Sequence, residues 1–261
     1  MSTCPKILVT GASRGIGEAI SKKFAKKGYE VLLVARTQTS LERVQKEIQA
    51  QGGKASYYVC DISNPQDLDF VLDKILLEHG HIPNLILNAG VSTNSSFLDN
   101  LIEDIKLEME INYFSILKVI KKFLPEMIRQ KYGNIVTIGS VMSLLPFPAN
   151  STYAATKAAL FSFTRSLRLE VEKYNVNVSI VLPGLTKTDM TKDFHSLFLP
   201  FDTPEDVANS VEEAILHKKE VVITGLLNQT AVNIYNFLPN LSNFVIGKLV
   251  DGLVPFIKNK T

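Results

Sequence analysis

Short runs of apolar, mostly β-branched residues alternate with amphipathic stretches along most of this sequence. The apolar runs predict strands at 7–9, 31–35, 56–60, 85–87, 135–138, 176–182 and 221–223. The stretches between them predict helices over 15–28, 39–51, 64–79, 101–111, 112–131, 151–174 and 204–217. Strands that are apolar on both faces, each followed by a helix, form parallel sheets covered on both sides. The alternation therefore predicts an α/β fold with a doubly wound parallel sheet of about seven strands.

The chain shows no internal repeat and no Pro/Gly/Ser-rich linker, and its 261 residues suit a single α/β domain. We expect that domain over residues 1–225, with a substrate loop at about 186–203. Residues 226–261 follow the last predicted strand. We expect them to form an apolar, helical extension that packs on the domain, on a partner subunit or on a membrane surface.

The composition limits the partners that this chain can have. Its 28 Lys and Arg residues nearly balance 26 Asp and Glu, which is too even for a nucleic-acid-binding surface. Cys4 and Cys60 lie far apart without a Cys/His pattern, so we expect neither a disulfide framework nor a metal site. No cationic segment followed by an apolar segment opens the chain. We expect a cytoplasmic protein, with peripheral membrane contact through residues 228–257 left open.

A glycine-rich turn, Thr-Gly-Ala-Ser-Arg-Gly-Ile-Gly at 10–17, joins the first strand to the first helix. Glycines at this place let the backbone turn tightly and approach a pyrophosphate, while the helix N-terminus presents free N–H groups. A Gly-rich stretch alone is a weak signal, but its position between a strand and a helix favours a dinucleotide site in a Rossmann-type sheet.

The end of the second strand indicates which dinucleotide is bound. A carboxylate there would accept from a ribose hydroxyl, whereas an arginine accommodates a 2′-phosphate. The sequence has Arg36 followed by Thr37, and Arg14 adds a second cation in the glycine turn. Each charge-assisted bond to a phosphate is worth roughly 1.5–3 kcal/mol. We therefore expect the cofactor to be NADP(H).

A phenol and an ammonium group stand four residues apart in the predicted helix 151–174. Tyr153 and Lys157 share one helix face at this spacing. Ser140 ends the fifth strand, so its hydroxyl should point into the crevice at the carboxyl edge of the sheet. Asn112 interrupts the long helical region, where its amide either holds a water or kinks the helix. Together these residues indicate proton transfer to a carbonyl.

With these motifs in this order, the sequence resembles the short-chain dehydrogenase/reductase family over about residues 5 to 225. The residues that carry the resemblance are TGASRGIG at 10–17, Asp61, NAG at 88–90, Asn112, Ser140, YAATK at 153–157 and PGLTKTDM at 183–190. Two positions depart from common family patterns, namely Thr186 and Gly139, but neither removes a functional atom.

The resemblance implies a catalytic tetrad. Tyr153 would be the acid/base, Ser140 would polarise the substrate oxygen, Lys157 would lower the tyrosine pKa and grip the nicotinamide ribose, and Asn112 would hold a water in a proton relay. It further implies that Asp61 meets the adenine, Asn88 the adenosine-side ribose and Thr188 the carboxamide. The implied cofactor-binding residues are Gly11, Ser13, Arg14, Gly15, Ile16, Gly17, Arg36, Thr37, Asp61, Ile62, Asn88, Ala89, Gly90, Tyr153, Lys157, Pro183, Gly184, Thr186 and Thr188.

Apolar residues follow two of the predicted site motifs. The substrate loop carries Met190, Phe194, Leu197, Phe198, Leu199 and Phe201, and the segment after Ser140 carries Val141, Met142, Leu144, Leu145 and Phe147. Such a lining favours an apolar carbonyl compound, that is, a steroid, a retinoid-like molecule or a long-chain ketone. Packing of the loop onto the domain would explain the same residues. His195 is more simply a surface residue than a second acid.

Three functional classes stay open from the sequence. The first is an NADPH-dependent carbonyl reductase, and the second is a catalytically idle NADP-binding regulatory protein. The third uses the same fold for dehydration or isomerisation. A 3-oxoacyl-thioester reductase is an alternative within the first class, although the residues after NAG and the long C-terminal extension weaken it. Retention of both Tyr153 and Lys157 favours the active reductase.

The long helices and the tail bear on assembly. The family resemblance implies that the helices near 112–131 and 151–174 pair across a two-fold axis, so we expect a homodimer or homotetramer. Their apolar residues Phe114, Leu117, Phe123, Phe161, Phe163 and Leu167 should need such cover. In the tail, Asn233, Asn236, Asn240 and Asn243 recur at helical spacing. These asparagines make the uncharged segment 221–247 too polar to span a bilayer. The other side of the predicted helix is a wide apolar face, which the domain, a second subunit or a membrane surface should cover.

Overall fold

The apolar runs form a seven-stranded parallel sheet. The computed structural model of the chain describes residues 4–191, 201–240 and 242–243. Strands β1 to β7 are Lys6–Thr10, Glu30–Ala35, Lys54–Val59, Asn84–Leu87, Gly133–Ile138, Val176–Leu182 and Val221–Ile223. Their order across the sheet is β3-β2-β1-β4-β5-β6-β7, and every neighbouring pair is parallel. The predicted doubly wound α/β architecture is confirmed.

Helices cover both faces of this sheet. Helices α1 to α8 are Gly15–Lys26, Gln38–Ala50, Pro65–His79, Ile102–Met109, Ser115–Gln130, Ser151–Val171, Pro204–Leu216 and Leu226–Phe237. Strand side chains alternate between two cores, because successive residues of a strand point to opposite faces. Leu8 joins the core that contains residues of α3, α5 and α6, whereas Ile7 and Val9 join the core that contains residues of α1, α2 and α7.

The largest difference from the predicted elements lies around Asn112. The sequence predicts two helices that meet between residues 111 and 112, whereas the chain runs from α4 into α5 through a π-helical turn, Glu110–Phe114. This wider turn holds one residue more than an α-helical turn and so interrupts the hydrophobic periodicity. Of the two alternatives for Asn112, holding a water or kinking the helix, the structure shows the second, since Asn112 lies in this distorted turn.

The last strand is followed directly by the C-terminal helix. Gly225 adopts a positive φ of 78° and lets the chain turn into α8. The helix ends at Phe237, ahead of Leu238 and Pro239, because the residue before a proline disfavours helical geometry. The predicted boundary at residue 225 falls on this turn, but the division of the chain there stays a prediction. None of the helices within the described residues is both long and apolar enough to cross a membrane.

The helices expected to pair between subunits hide more of their apolar surface than the sequence indicates. Phe123 and Leu167 are already buried in the core of one chain, so they need no partner. Phe114 is half exposed, and Leu169 on α6 is 76% exposed. The prediction of a homodimer or homotetramer therefore rests on fewer residues than the sequence offered, and it stays a prediction.

Candidate active site

The chain reverses its direction of winding between β1 and β4, which opens a crevice at their carboxyl ends. The glycine turn lies in this crevice. Gly11 and Gly15 have φ values of 67° and 55°, which favour glycine. A methyl group on Gly17 would collide with the Gly11 carbonyl oxygen. The turn is therefore packed so closely that backbone N–H groups and the N-terminus of α1 face the crevice, as an anion site needs.

Asn88, which follows β4, ties the glycine turn to the sheet. Its side-chain amide donates to the carbonyl oxygens of Thr10 at 3.1 Å and Gly11 at 3.3 Å. The Thr10 hydroxyl oxygen accepts in return from the backbone N–H groups of Asn88 at 3.0 Å and Ala89 at 3.1 Å. The amide donor of Asn88 is thus engaged with the backbone of the turn, so the residue shapes the site as well as lining it.

One end of the crevice carries the charged residues expected near a phosphate. Arg36 lies close enough to Asp61 to lower the pKa of that carboxyl, after the larger effect of the Ser63 hydroxyl bound to it. The Arg14 guanidinium donates to the Asp189 carboxylate at 2.8 Å. Their side chains are 70% and 62% exposed, so this ion pair contributes at most about 1 kcal/mol. Arg14 can therefore change its partner at little cost.

Tyr153 and Lys157 lie on the cavity face of α6. The Lys157 ammonium donates to the Ile138 carbonyl oxygen at 2.9 Å and lies 5.6 Å from the centre of the Tyr153 ring. Burial lowers the pKa of Lys157 to about 8. A methyl group on the neighbouring Gly90 would be tight against the Asn112 side-chain oxygen at 3.2 Å and in ordinary contact with the Lys157 nitrogen at 3.4 Å.

The pKa of Tyr153 moves in the direction opposite to the one that the resemblance implies. Burial raises it to about 12, the nearby Ser140 hydroxyl lowers it, and the negative charge of Glu108 raises it further. Desolvation is thus the largest influence on the phenol in the chain alone, and it disfavours the charged phenolate. The phenol is therefore protonated throughout the neutral range.

Two neighbours of Tyr153 have buried polar groups. Ser140 follows β5 and accepts from the backbone N–H of Met142 at 3.2 Å, which leaves its hydroxyl proton available. Glu108 in α4 is only 1% exposed, and one of its carboxylate oxygens accepts from the backbone N–H of Thr93 at 2.6 Å. Glu108 does not stand out in the sequence, because a charged residue in an amphipathic helix normally faces solvent.

Asn112 does not line the cavity, contrary to what its expected place in the tetrad suggests. Its side-chain amide donates to the Val91 carbonyl oxygen at 2.9 Å and to the Thr156 hydroxyl at 3.0 Å, and its side-chain oxygen accepts from the Val91 N–H at 2.8 Å. The fully buried side chain thus fixes the segment after β4 against α6. No side-chain donor of Asn112 is left for a relay water.

A single cavity of about 720 Å³ is lined by the glycine turn and by Ser140, Tyr153 and Lys157. Of the predicted site residues, all of which are described, Gly17 and Asn112 do not line it, and the others do. Gly17 lies behind the turn, where its missing side chain permits the close packing. The apolar part of the wall includes Val141, Met142, Leu145, Phe147, Met190, Leu227, Ala231 and Ile234.

The predicted substrate wall needs partial correction. Leu144 packs against the core under the sheet instead of lining the cavity. Phe201 is partly buried and also lies outside the wall. Phe194, His195, Leu197, Phe198 and Leu199 lie outside the described residues.

Two polar residues that were not predicted as site residues, Asp202 and Asn228, meet at the base of the substrate loop. The Asn228 side-chain amide donates to the Asp202 carboxylate at 2.8 Å, and that same carboxylate oxygen accepts from the Gly184 N–H at 3.1 Å. Asn228 lines the cavity, and so does Leu227 beside it. The two residues are 26 positions apart and follow no recognisable spacing, so only the fold brings them together.

Known proteins are similar to this chain in sequence and in architecture. The model of the short chain dehydrogenase family matches residues 5–196. A fatty acyl-CoA reductase of Acinetobacter baylyi is 34% identical over 244 residues, which are 92% of this chain and 82% of that protein. The ketoacyl reductase HetN of Nostoc sp. is 34% identical over 223 residues, which are 84% of this chain and 78% of that protein.

A solved structure gives the same result at the level of the fold. The short-chain dehydrogenase from Sphingobium yanoikuyae, in complex with NADPH, has a TM-score of 0.79 and 28% identity, and the match covers 85% of this chain and 88% of that one. The family match spans most of the chain, and the solved structure shares its fold. The chain therefore belongs to the short-chain dehydrogenase family and is an oxidoreductase.

Proposed function

We propose that this chain is an NADP(H)-dependent oxidoreductase that interconverts a carbonyl and the corresponding alcohol, a secondary alcohol where the carbonyl is a ketone, on a substrate with a long apolar chain. The observation that carries the proposal is the continuity of one cavity. It runs from the glycine turn, past Ser140, Tyr153 and Lys157, to a wall of aliphatic and aromatic side chains. The similarity to the fatty acyl-CoA reductase of Acinetobacter baylyi favours a long-chain substrate over a steroid or a retinoid.

The residues present fit a dinucleotide with a 2′-phosphate. The compact glycine turn, in which a methyl group on Gly17 would strike the Gly11 carbonyl oxygen, leaves a cradle for a pyrophosphate at the N-terminus of α1. Arg36 and Arg14 line the cavity at the end where Asp61 and Ile62 lie. Two guanidinium groups there favour a phosphate, and the structural neighbour bound to NADPH agrees with this assignment.

The chemistry of the chain itself is the handling of one proton. The nicotinamide, when bound, supplies the hydride in reduction and accepts it in oxidation. In reduction, the Tyr153 phenol donates its proton to the carbonyl oxygen, and the Ser140 hydroxyl hydrogen-bonds to the same oxygen. The Lys157 ammonium stabilises the phenolate that is left. In oxidation the phenolate accepts the alcohol proton, so the same residues work in both directions.

The test is NADPH consumption by the wild-type protein with a panel of carbonyl compounds. The panel contains aliphatic aldehydes and ketones of increasing chain length, a steroid ketone and a retinal. We expect the highest kcat/KM with the long-chain members. Tyr153→Phe should lower turnover by about 10²–10⁴ without changing the NADPH dissociation constant, because it removes the acid and keeps the ring. Near wild-type turnover by this variant would refute the assignment, and so would an inert wild-type protein.

A 3-oxoacyl-thioester reductase is the second candidate function, and the match to a ketoacyl reductase favours it. The cavity wall serves either substrate, because both carry an acyl chain. A 3-oxoacyl-CoA of matched length in the same panel separates the two. A kcat/KM higher than that of the simple ketones would assign the thioester function.

A further inference from the structure

The chain closes the base of its substrate loop at Asp202. The Asp202 N–H donates to the Leu185 carbonyl oxygen at 2.8 Å, and the Asp202 carbonyl oxygen accepts from the Lys187 N–H at 3.0 Å. These bonds form a parallel bridge between Thr186 and Asp202. The carboxylate turns inward and accepts from the Gly184 N–H at 3.1 Å. Asp202 thus connects the two ends of the loop to the turn that follows β6.

Asn228 joins the C-terminal helix to the same carboxylate. Its side-chain amide donates to Asp202 at 2.8 Å and to the Thr224 carbonyl oxygen at 2.7 Å. A methyl group on Gly184 would collide with the Asn228 amide, and one on Gly225 would lie 2.7 Å from the Asp202 carboxylate. We call this pair, Asp202 and Asn228, the clasp. It is closely packed on both sides.

Among the described residues, few pack against the rest of α8. Within α8, all of which is described, only Val232 is buried. Leu226, Leu227, Ile234 and Phe237 are exposed. Hydrophobic packing therefore fixes the position of α8 weakly, and the clasp supplies the directional contact that orients the helix.

One stripe of α8 faces the cavity. Leu227, Ala231 and Ile234 are spaced by four and three residues, so they lie on one side of the helix, and all three line the cavity. Because they are exposed in the chain alone, they offer an apolar surface that a ligand can cover. Val141 and Met142 belong to the part of the wall that follows Ser140.

We propose that the clasp positions α8 as the wall that selects substrates by the length of their apolar chain. Asn228 and Asp202 are positioning residues in this proposal, which rests on the proposed apolar substrate. They act on the chain of the substrate and not on its carbonyl. Loss of the Asn228 amide, with Asp202 kept on the Gly184 N–H, should therefore raise KM and leave kcat and the NADP⁺ dissociation constant unchanged, the pattern of lost uniform binding.

The experiment measures binding of cis-parinaric acid, a fluorescent long-chain fatty acid, to the NADP⁺-loaded protein. Asn228→Ala should weaken binding about tenfold, because the half-buried Asp202 carboxylate loses a donor and α8 loses its orientation. Asn233→Ala is the matched control, since it makes the same change at an exposed position of the same helix. It should bind the probe as the wild type does.

A second readout is kcat/KM for aliphatic aldehydes of increasing length. In the wild type each added methylene that reaches α8 should raise it about fourfold, which corresponds to about 0.8 kcal/mol per buried CH₂. Asn228→Ala should flatten this dependence. Ala231→Phe, at an exposed position that lines the cavity, should stop the increase at a shorter chain and bind the probe more weakly.

The outcomes separate the two proposals. Unchanged probe affinity in Asn228→Ala, or no probe binding by the wild type, overturns the role of the clasp even where aldehydes are reduced. Selective loss of probe affinity in Asn228→Ala supports the clasp even where no aldehyde is reduced, which refutes the proposed function alone. If Asn228→Ala does not fold, Ala231→Phe decides, and a wild-type length dependence in that variant refutes the wall.

Discussion

Burial drives Tyr153 and Lys157 toward their neutral forms. The pKa of the phenol rises to about 12, and that of the ammonium falls to about 8. At neutral pH the site therefore contains a protonated tyrosine beside a lysine that still carries its charge. As the pH rises, the lysine loses its proton about four pH units before the tyrosine does.

This order predicts the pH dependence of reduction. The form with a protonated Lys157 exists below about pH 8 and is lost as the pH rises through that value. We expect kcat/KM for NADPH, which reports on the free enzyme, to be constant near neutral pH and to fall above about pH 8. Lys157→Arg should remove the fall if it retains activity, because a guanidinium stays charged. A wild-type profile that is flat to about pH 10 would contradict the assigned lysine pKa.

The site residues that could be predicted from the sequence are those whose spacing is fixed by one element. Tyr153 and Lys157 share a helix face, and the glycine turn follows a strand. Asp202 and Asn228 could not be predicted, because a contact between a loop and a later helix has no period. Glu108 was missed for a different reason. Leu107 is 45% exposed and Glu108 is 1% exposed, the reverse of what hydrophobicity predicts.

At the scale of elements, the strands and helices follow from hydrophobic periodicity, and their ends do not. The predicted first helix runs to residue 28, whereas α1 ends at Lys26. The predicted third strand begins at residue 56, two residues after the start of β3. Local caps and turns decide these ends, and the tertiary structure selects among them. The π-helical turn before α5 could not be predicted from hydrophobic periodicity, because the break that it makes in the pattern is the same as that of a boundary between two helices.

The glycine turn and the start of the substrate loop touch one another, which predicts a link to cofactor affinity. Arg14 binds Asp189 at 2.8 Å, and a methyl group on Gly15 would lie 3.2 Å from the Thr188 side chain. We therefore expect Asp189 to compete with a cofactor phosphate for Arg14. Asp189→Asn should tighten NADP⁺ binding by up to about fivefold, the equivalent of one exposed ion pair, and leave NAD⁺ binding unchanged.

Thermal shifts with each dinucleotide measure this effect, because a tighter ligand raises the melting temperature more. Arg36→Ala is a control that should act in the opposite direction. It should reduce the difference between the thermal shift with NADP⁺ and the thermal shift with NAD⁺. An equal gain for both dinucleotides in Asp189→Asn would show that the carboxylate acts on loop closure and not on the phosphate.

At the scale of the molecule, the exposed apolar residues on α6 and before α5 suggest that chains associate. Light scattering at micromolar concentration should give two or four times the 29.0 kDa of one chain. Leu169→Glu should shift the protein toward the monomer, because it puts a charge on the expected interface. Leu216→Glu, at a similarly exposed position on α7, should leave the mass unchanged. A monomeric wild-type protein would rule out the expected pairing.

The strand order also has a consequence for how the chain reaches this fold. Strands β1 to β3 pair with one another in the order β3-β2-β1, β4 then pairs with the free edge of β1, and each later strand pairs with the one before it. The sheet can therefore grow in the order of synthesis, and within it the longest wait is that of β1 for β4. Until residues 84–87 are synthesised, one edge of β1 stays unpaired and apolar. A nascent chain is most open to aggregation during that interval, when a chaperone has most to protect.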